Sequence, residues 1–275
     1  MKRIPFFKMS GSGNDFIIID NRKPVLDEAS LKRFIVNVCR RKLSAGADGL
    51  ILIEPSEAVD FKWRFFNSDG SRAEMCGNGA RCAARYAHVN GITAKRLKFQ
   101  TDVGIVAAEI IDERVKVKMT DPSEITPDMS IELDAGRRTM AAVNTGVPHV
   151  ILVETDLEAV DVRGLGREIR RHAAFAPAGT NVNFITSPAD DTIVIRTYER
   201  GVEDETLACG TGSVAAALVT AVRHGKDSPI HVKTRSGILL TVHFSRKENG
   251  FTNVHLEGDA RIIYHGEMWE EAYQT

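Results

Sequence analysis

The pattern of hydrophobic and polar positions predicts a chain built mostly of strands. Short runs of β-branched and aromatic residues, often alternating with polar ones, are bounded by Gly, Asp or Pro, which is typical of half-buried strands. In the first half these runs are FIIID, GLILI, FKWRFF and GIVAAEIIDERVKVKM. In the second half they are HVILVE, NVNFI, TIVIRTYE, IHVKTR, GILLTVHF and NVHLEG.

Helical patterns are fewer, and they fall into two kinds. The segment DEASLKRFIVNVCRRKL is amphipathic, with Asp27 placed as an N-cap. The segments GARCAARYAHVNG and GSVAAALVTAVRHG are rich in alanine and stop at Gly91 and Gly225, as helices commonly do. Because alanine lets backbones approach closely, we predict that these two helices are enclosed by strands.

The chain contains an internal repeat. Cys-Gly-x-Gly occurs at Cys76 and again at Cys209, an offset of 133 (209 − 76). Without gaps, the same offset aligns SGNDFIII with TGVPHVIL, AGADGLILI with AGTNVNFIT, and WRFFN with RTYER. Four aligned segments predict two tandem copies of one fold. The stretch MTDPSEITPDM, residues 119–129, contains two prolines and is predicted to be the linker.

The expected fold class is therefore α/β (α+β), with two pseudo-symmetric tandem domains. Each domain is predicted to be a curved, mostly antiparallel sheet or barrel wrapped around a central alanine-rich helix. The active site is expected in the cleft between the two domains. A length of 275 residues is sufficient for two such domains.

Composition excludes several classes of protein. A net charge of −1 and the lack of a basic cluster with interleaved aromatics speak against a nucleic-acid partner. No apolar run approaches the roughly 18 residues of a membrane span, and the N-terminal segment lacks a secretory signal. We therefore expect a cytoplasmic protein without a membrane partner. The cysteines have neither disulfide-framework nor zinc-ligand spacing.

Each Cys-Gly-x-Gly segment can supply a base beside an anion site. The dipole of the first helical turn is expected to lower the pKa of the cysteine, and the glycines let backbone N–H groups converge on a carboxylate. Two such segments can hold one α-carboxylate with a sulfur on each face of the adjacent carbon. A thiolate that removes the Cα proton and an opposite thiol that replaces it would invert the stereocentre. Cys39 and Cys82 are predicted to be packing residues.

These motifs resemble the diaminopimelate epimerase family. The chain contains GSGNDF, NSDGS, CGNGARC, NVNF and ERGVEDETLACGTG, and the resemblance extends from Met9 to the YHGE near the end. It implies interconversion of LL- and meso-diaminopimelate in the lysine and peptidoglycan route, without pyridoxal phosphate or a metal. The implied partner is a small amino-acid substrate, with a homodimer possible. The implied domains are 1–122 plus 264–275, where the C-terminus returns to the first domain, and 123–263.

The resemblance also implies roles for individual residues. Cys76 and Cys209 match the acid and base, while His149 and Glu199 match the polar groups that orient the reacting group and tune the thiols. Glu199 also counts as a substrate-binding residue. The other substrate-binding positions are Gly77, Asn78, Gly210 and Thr211 at the reacting carboxylate, and Asn14, Asn67, Asn181 and Arg200 at the distal amino-acid end.

The chain departs from the family pattern at two positions. Val147 stands where many members have Asn before Pro-His, and Gly49 stands where some have Gln. Two other interpretations remain open from the sequence: a cofactor-independent racemase of another amino acid, of the histidine or proline type, and a dithiol redox switch. A dinucleotide site is excluded, because Phe16 replaces the third glycine of the fingerprint and no βαβ pattern follows.

Overall fold

A computed structural model describes residues 3–186, 192–248 and 250–274 of the chain. Its residues form two compact units. Unit 1 comprises Met1–Val117 and Gly258–Thr275, and unit 2 comprises Lys118–Glu257. The predicted junctions after residues 122 and 263 lie a few residues from these limits. No helix in the described part of the chain is both long enough and apolar enough to cross a membrane.

The strands dominate the secondary structure. In chain order they are β1 (Ile4–Gly11), β2 (Asn14–Asp20), β3 (Gly49–Glu54), β4 (Phe61–Asn67), β5 (Arg72–Ala73), β6 (Arg96–Thr101), β7 (Gly104–Ile111), β8 (Arg114–Lys118), β9 (Ser123–Leu133), β10 (Gly136–Asn144), β11 (Pro148–Glu154), β12 (Asn181–Thr186), β13 (Thr192–Glu199), β14 (Asp204–Thr206), β15 (Ile230–Lys233), β16 (Leu239–Lys247), β17 (Gly250–Asp259) and β18 (Arg261–Met268). The α-helices are α1 (Leu31–Cys39), α2 (Gly77–Val89), α3 (Val162–Arg171) and α4 (Gly210–His224), with short 3-10 turns at Glu28–Ser30, Ala173–Phe175 and Glu270–Ala272.

Unit 1 is a mixed sheet with one helix on each face. Its strands run in the order β18, β1, β2, β3, β4, β6, β7 and β8, with β5 paired to β4. The pairs β2–β3 and β4–β6 are parallel and the others antiparallel, so these two connections cross over through α1 and α2. The alanines of α2 pack in one hydrophobic cluster, whereas α1 packs in another on the opposite face. The predicted central helix is therefore α2.

Unit 2 repeats this arrangement. Its order is β9, β10, β11, β12, β13, β15, β16 and β17, with β14 on β13, and β11–β12 and β13–β15 are parallel. The central helix is α4, whose residues from Val214 to Leu218 are fully buried. The predicted fold class and duplication are thereby confirmed.

Helix α3 was not predicted from the hydrophobic pattern. It occupies in unit 2 the place that α1 has in unit 1, but only Val162, Gly166 and Ile169 are buried along it. Its remaining residues are largely charged, so the sequence shows too few apolar positions to reveal an amphipathic helix. Gly166 lies where an added Cβ would come within 2.5 Å of the Tyr198 side chain, so close contact with β13 replaces a wide apolar face.

The predicted linker at residues 119–129 is wrong for most of its length. Strand β9 begins at Ser123 and pairs with β10. Pro127 is accommodated because the ladder bulges there: Thr126 faces Ala142 and Met129 faces Met140. Two residues of β9 therefore oppose one of β10, and the missing N–H of proline removes no ladder hydrogen bond.

The sequence alignment assumed that the two copies match without gaps, but the strand pairing shows a shift of one residue between them. Phe16 pairs with Gly49 across β2–β3, whereas its counterpart His149 pairs with Asn181 across β11–β12. The offsets are 149 − 16 = 133 and 181 − 49 = 132. A slip of one residue turns every side chain of a strand to the other face. The loop before β12 is one residue shorter than its counterpart before β3, so equivalent side chains of both sheets still face their central helices.

Candidate active site

Cys76 caps the N-terminus of α2 in unit 1. Its backbone is extended, with φ −145°, and its Sγ accepts a hydrogen bond from the Gly79 N–H at 3.5 Å. The next residue, Gly77, has open space beside it: apart from its chain neighbours and the backbone of its own helix, no described atom lies within 4 Å of where its Cβ would be. A carboxylate can therefore approach the free N–H groups of this first turn beside the half-buried sulfur.

A chain of hydrogen bonds fixes the two amides next to Cys76. Asn78 donates from Nδ2 to Asn14 Oδ1 at 2.7 Å, and Asn14 donates to Asp48 Oδ2 at 3.1 Å. Asn78 Oδ1 accepts from Arg81 Nη2 at 2.8 Å. Because a carboxylate only accepts and a guanidinium only donates, both amide orientations are determined. Within the described residues each amide NH2 group donates one hydrogen bond, so each keeps one further N–H for a ligand.

Arg81 is a buried support of this site that sequence reasoning missed. Its guanidinium donates to Ser12 Oγ at 2.8 Å and to the Asp259 carbonyl at 3.1 Å. Ser12 donates from N and Oγ to Asp259 Oδ1 at 3.0 and 2.9 Å. A signal was present in CGNGARC, because an arginine among alanines on a buried helix needs partners.

Asn67 lies at the end of β4 and is exposed. Its Nδ2 donates to Ser71 Oγ at 3.0 Å, and its strand partner is Gly49. An added Cβ at Gly49 would lie 2.5 Å from the Phe66 carbonyl oxygen. Glycine at this departure from the family pattern therefore serves the close packing of β3 on β4.

Cys209 caps α4 in unit 2 and is more enclosed, with 7% of its surface exposed. Its Sγ is 3.6 Å from Thr211 Oγ1, and the thiol is also hydrogen-bonded to the Glu199 carboxylate. Glu199 in turn accepts a hydrogen bond from Thr206 Oγ1 at 2.9 Å. The cysteine and the glutamate thus form one hydrogen-bonded pair.

The pKa of Cys209 runs against the sequence expectation. Burial, followed by the charge of Glu199, raises it to about 12, although Thr211 and the Gly212 N–H act in the opposite direction. The helix start therefore does not by itself make this sulfur a thiolate, because desolvation of the anion outweighs the dipole. Burial also raises the pKa of Glu199, opposed by its hydrogen bonds from Thr206 and Cys209. The thiol of Cys209 is therefore protonated, and it is hydrogen-bonded to the carboxyl group of Glu199.

His149 on β11 is buried and neutral. Burial, with a smaller contribution from the charge of Arg200, lowers its pKa to about 3. Its Nδ1 lies 3.1 Å from Asn183 Nδ2. Within the described residues, Nε2 has no hydrogen-bond partner although it is inaccessible to water. A buried polar atom without a partner is costly in a folded chain, which is typical of a group that meets a ligand.

Asn181 and Arg200 are joined through the backbone. Asn181 accepts the Arg200 N–H on Oδ1 at 2.9 Å and donates from Nδ2 to the Pro148 carbonyl at 3.1 Å. The Arg200 side chain is half-buried and donates to the Ala178 carbonyl at 3.1 Å. Asn181 therefore positions the turn that presents Arg200. In the part of the chain that the structure describes, its amide donates one hydrogen bond, so one N–H remains for a ligand.

Comparison with known proteins relates this site to one family. The sequence model described as diaminopimelate epimerase matches residues 6–125 and 141–263. A diaminopimelate epimerase of Aquifex aeolicus is 44% identical and covers 98% of this chain and 99% of its own length. The enzyme of Chlorobaculum tepidum is also 44% identical, over 94% of this chain and 98% of its own. The chain belongs to the diaminopimelate epimerase family. The resemblance noted in its motifs is thereby confirmed.

Solved structures share the fold of this diaminopimelate epimerase family member at low identity. A phenazine biosynthesis protein of the PhzF family from Bacillus anthracis has a TM-score of 0.72 at 16% identity, covering 98% of this chain and all of its own. A hydroxyproline epimerase from Agrobacterium vitis has a TM-score of 0.65 at 13% identity, covering 98% and 93%. Identities this low establish the architecture alone.

The predicted site residues of the family fall into two sets, one in each unit. Unit 1 brings the Cys76 helix start together with Asn14 and Asn78 by direct hydrogen bonds. Unit 2 groups Glu199 and Cys209 in the same way. The residues that the sequence did not suggest are the supports behind both sets: Ser12, Arg81, Asp259, Asn183 and Thr197.

Proposed function

We propose that the protein interconverts LL- and meso-2,6-diaminopimelate by transferring the Cα proton between Cys76 and Cys209. Membership of the diaminopimelate epimerase family, across nearly the whole chain, carries this proposal. The presence of a cysteine at the N-cap of the central helix in both units supports the assignment of the acid and the base.

The helix starts supply the stabilisation that proton abstraction requires. The N–H groups of Gly77, Asn78, Gly210 and Thr211 hold the reacting carboxylate, where negative charge increases as the Cα proton leaves. Donors already oriented toward the developing charge stabilise the transition state more than the ground state. The neutral His149 contributes an N–H donor to the reacting group without introducing a competing positive charge.

The proton transfer is balanced between the two sulfurs. In one direction the Cys76 thiolate removes the proton from Cα, and the Cys209 thiol donates its proton to the opposite face. The product has the inverted configuration, Cys76 is then a thiol and Cys209 a thiolate, and no electron is gained or lost. In the reverse direction the roles exchange. Glu199 favours the protonated state of Cys209, because its charge raises the pKa of that thiol.

The distal amino-acid end requires both a cation and acceptors. Arg200 can bind the distal carboxylate, and the amides of Asn14, Asn67 and Asn181 can contact the distal polar groups. Val147 supplies no amide at the position where many family members have Asn. We further propose a cytoplasmic location, and a homodimer as the resemblance implies.

Deuterium exchange tests this function directly. Purified protein in deuterated water is expected to place one deuterium on Cα of LL-diaminopimelate while forming the meso isomer, without an added cofactor. Cys76→Ala and Cys209→Ala should each abolish epimerisation while leaving the circular dichroism spectrum unchanged. Full activity in either variant would exclude the two-thiol mechanism. Exchange with a different amino acid from a panel, and none with diaminopimelate, would instead assign a racemase of another substrate.

A further inference from the structure

Asn183 is a fully buried amide on the inner face of β12. It lies between β11 and β13, directly opposite Thr197 in the antiparallel pair. All of its polar atoms are engaged. Nδ2 lies 3.0 Å from the Val150 carbonyl and 3.1 Å from His149 Nδ1, while Oδ1 accepts from Thr197 Oγ1 at 2.9 Å.

These contacts leave only one orientation for the amide. A carbonyl oxygen only accepts, so the Asn183 atom facing the Val150 carbonyl must be the NH2 nitrogen. One hydrogen of that group then points to Val150 and the other to His149 Nδ1. The Thr197 hydroxyl completes the arrangement by donating to the amide oxygen.

The amide orientation determines the tautomer of His149. A ring nitrogen that receives an N–H must carry a lone pair, so Nδ1 is unprotonated. In the neutral ring the proton therefore resides on Nε2, the buried atom for which the described residues provide no partner. Protonating both nitrogens would set two N–H groups against each other, in agreement with the low pKa of this histidine.

Unit 1 provides an internal comparison for this cluster. With the one-residue slip in the repeat, the positions of His149, Asn183 and Thr197 correspond to three apolar residues, Phe16, Ile51 and Phe65, with Ile51 directly opposite Phe65. All three lie in the hydrophobic cluster around α2. The fold is thus packed at this place by apolar side chains in one copy, so packing alone does not require the polar trio of the other.

The cluster also contacts the helix that carries Cys209. An added Cβ at Gly212, in the first turn of α4, would lie 2.4 Å from Asn183 Oδ1 and 3.3 Å from Cys209 Sγ. The amide is therefore held by strands on two sides and by the helix start on a third. Such enclosure leaves it no alternative position.

We propose that Asn183 is a positioning residue that holds His149 as the Nε2–H tautomer, so that this N–H is available to the substrate. This inference rests on the proposed function only in taking diaminopimelate as the ligand that receives the N–H of His149. Asn183 does not touch the reacting atoms; it acts through the ring of His149. The tautomer itself is a property of the free protein and can be measured without any substrate.

Nitrogen NMR of histidine-labelled protein tests the tautomer. The signals of His149 are assigned by their loss in His149→Phe, a variant that introduces the residue of the other copy. Wild-type protein is expected to show an unprotonated Nδ1 and a protonated Nε2. Asn183→Asp replaces the donor by an acceptor and should move the proton to Nδ1. Asn183→Ile, the residue that the other copy uses, should leave a mixture of both tautomers.

A double-mutant cycle tests the link to activity. Asn183→Asp is expected to lower kcat for Cα deuterium exchange about 100-fold, the loss of one oriented donor, with a smaller change in KM. In the His149→Phe background the same substitution should cause no further loss.

Three results would overturn the proposal: an unchanged tautomer in Asn183→Asp, a changed tautomer with wild-type kcat, or an equal loss in both backgrounds. If wild-type protein exchanges no amino acid, the proposed function fails, whereas the NMR result still decides the tautomer.

Discussion

Adding one methyl group at Gly212 is expected to destabilise unit 2, although alanine is the better helix former. Alanine in place of glycine stabilises a helix by about 0.5–1 kcal/mol. Here the new Cβ would lie 2.4 Å from Asn183 Oδ1. Asn183 is not free to move away, because it is held by hydrogen bonds from Thr197 and to His149 and Val150.

The magnitude follows from these contacts. Overpacking a close-packed interior costs about 1–3 kcal/mol, and displacing Oδ1 breaks the hydrogen bond from Thr197, at about 1 kcal/mol more. Subtracting the helix gain leaves a net loss of about 1–3.5 kcal/mol for Gly212→Ala. Because Asn183 is displaced, the rate of epimerisation is expected to fall as well.

Gly79 in unit 1 is the matched control. It occupies the same place in the first turn of α2, but its added Cβ would lie 3.3 Å from a methyl group of Ile51, the end of a flexible side chain. Gly79→Ala is therefore expected to change the unfolding free energy by less than about 1 kcal/mol.

Urea unfolding followed by circular dichroism measures both variants, with the slope of the transition compared to confirm that only stability has changed. Equal stability of the two variants would refute the reasoning, since the only difference between them is what the new methyl group meets.

Three other perturbations give distinct outcomes. Gly77→Ala should leave stability unchanged or slightly raised, because the new Cβ would meet no described atom outside its own helix start. It should lower kcat/KM about tenfold or more by occupying the space where a carboxylate docks, and unchanged kinetics would place the carboxylate elsewhere. Burial is the largest cause of the raised pKa of Cys209 and the charge of Glu199 the next, and Glu199→Gln removes that charge. Alkylation of Cys209 at a fixed mildly alkaline pH should therefore be faster than in wild type, and a slower rate would contradict this. Burial alone would raise the pKa of Asp15, but hydrogen bonds from Arg41 and Lys8 overcome it and lower the pKa to about 2. The stability that this carboxylate contributes should be complete above about pH 4 and lost as the pH falls toward 2. Asp15→Asn should therefore unfold more easily at neutral pH and lose less stability on acidification, whereas an unchanged loss of stability in acid would count against the ion pair.

The patterns that succeeded in the sequence are those in which one local rule acts alone. Alternating strands, and alanine-rich helices that stop near a glycine, are set by side-chain periodicity and backbone conformation. Gly91 and Gly225 do adopt positive φ, 68° and 64°. The equivalence of the two Cys-Gly-x-Gly motifs was readable because each begins a central helix, and a helix start is a local feature.

The predictions that failed depended on neighbours far away in the chain. Pro127 suggested a linker, but a bulge in β9 accommodates it, and only the partner strand β10 determines that bulge. Helix α3 was overlooked because its contact with β13 uses a glycine instead of an apolar stripe. The pKa of Cys209 was expected to be low, yet burial and Glu199 raise it, and neither effect is visible from the residues around the cysteine in sequence.

By itself, the sequence determined that the fold is duplicated, that each copy places a cysteine at the start of a helix, and which family the motifs resemble. Only the tertiary structure decided which buried polar groups meet. Asn183 stands next to Val182 and Phe184 in the chain, but its orientation is set by Val150 and Thr197 on the two neighbouring strands. Hydrogen-bond direction depends on which donors and acceptors face each other across the sheet, and that information exists only once the strands have paired.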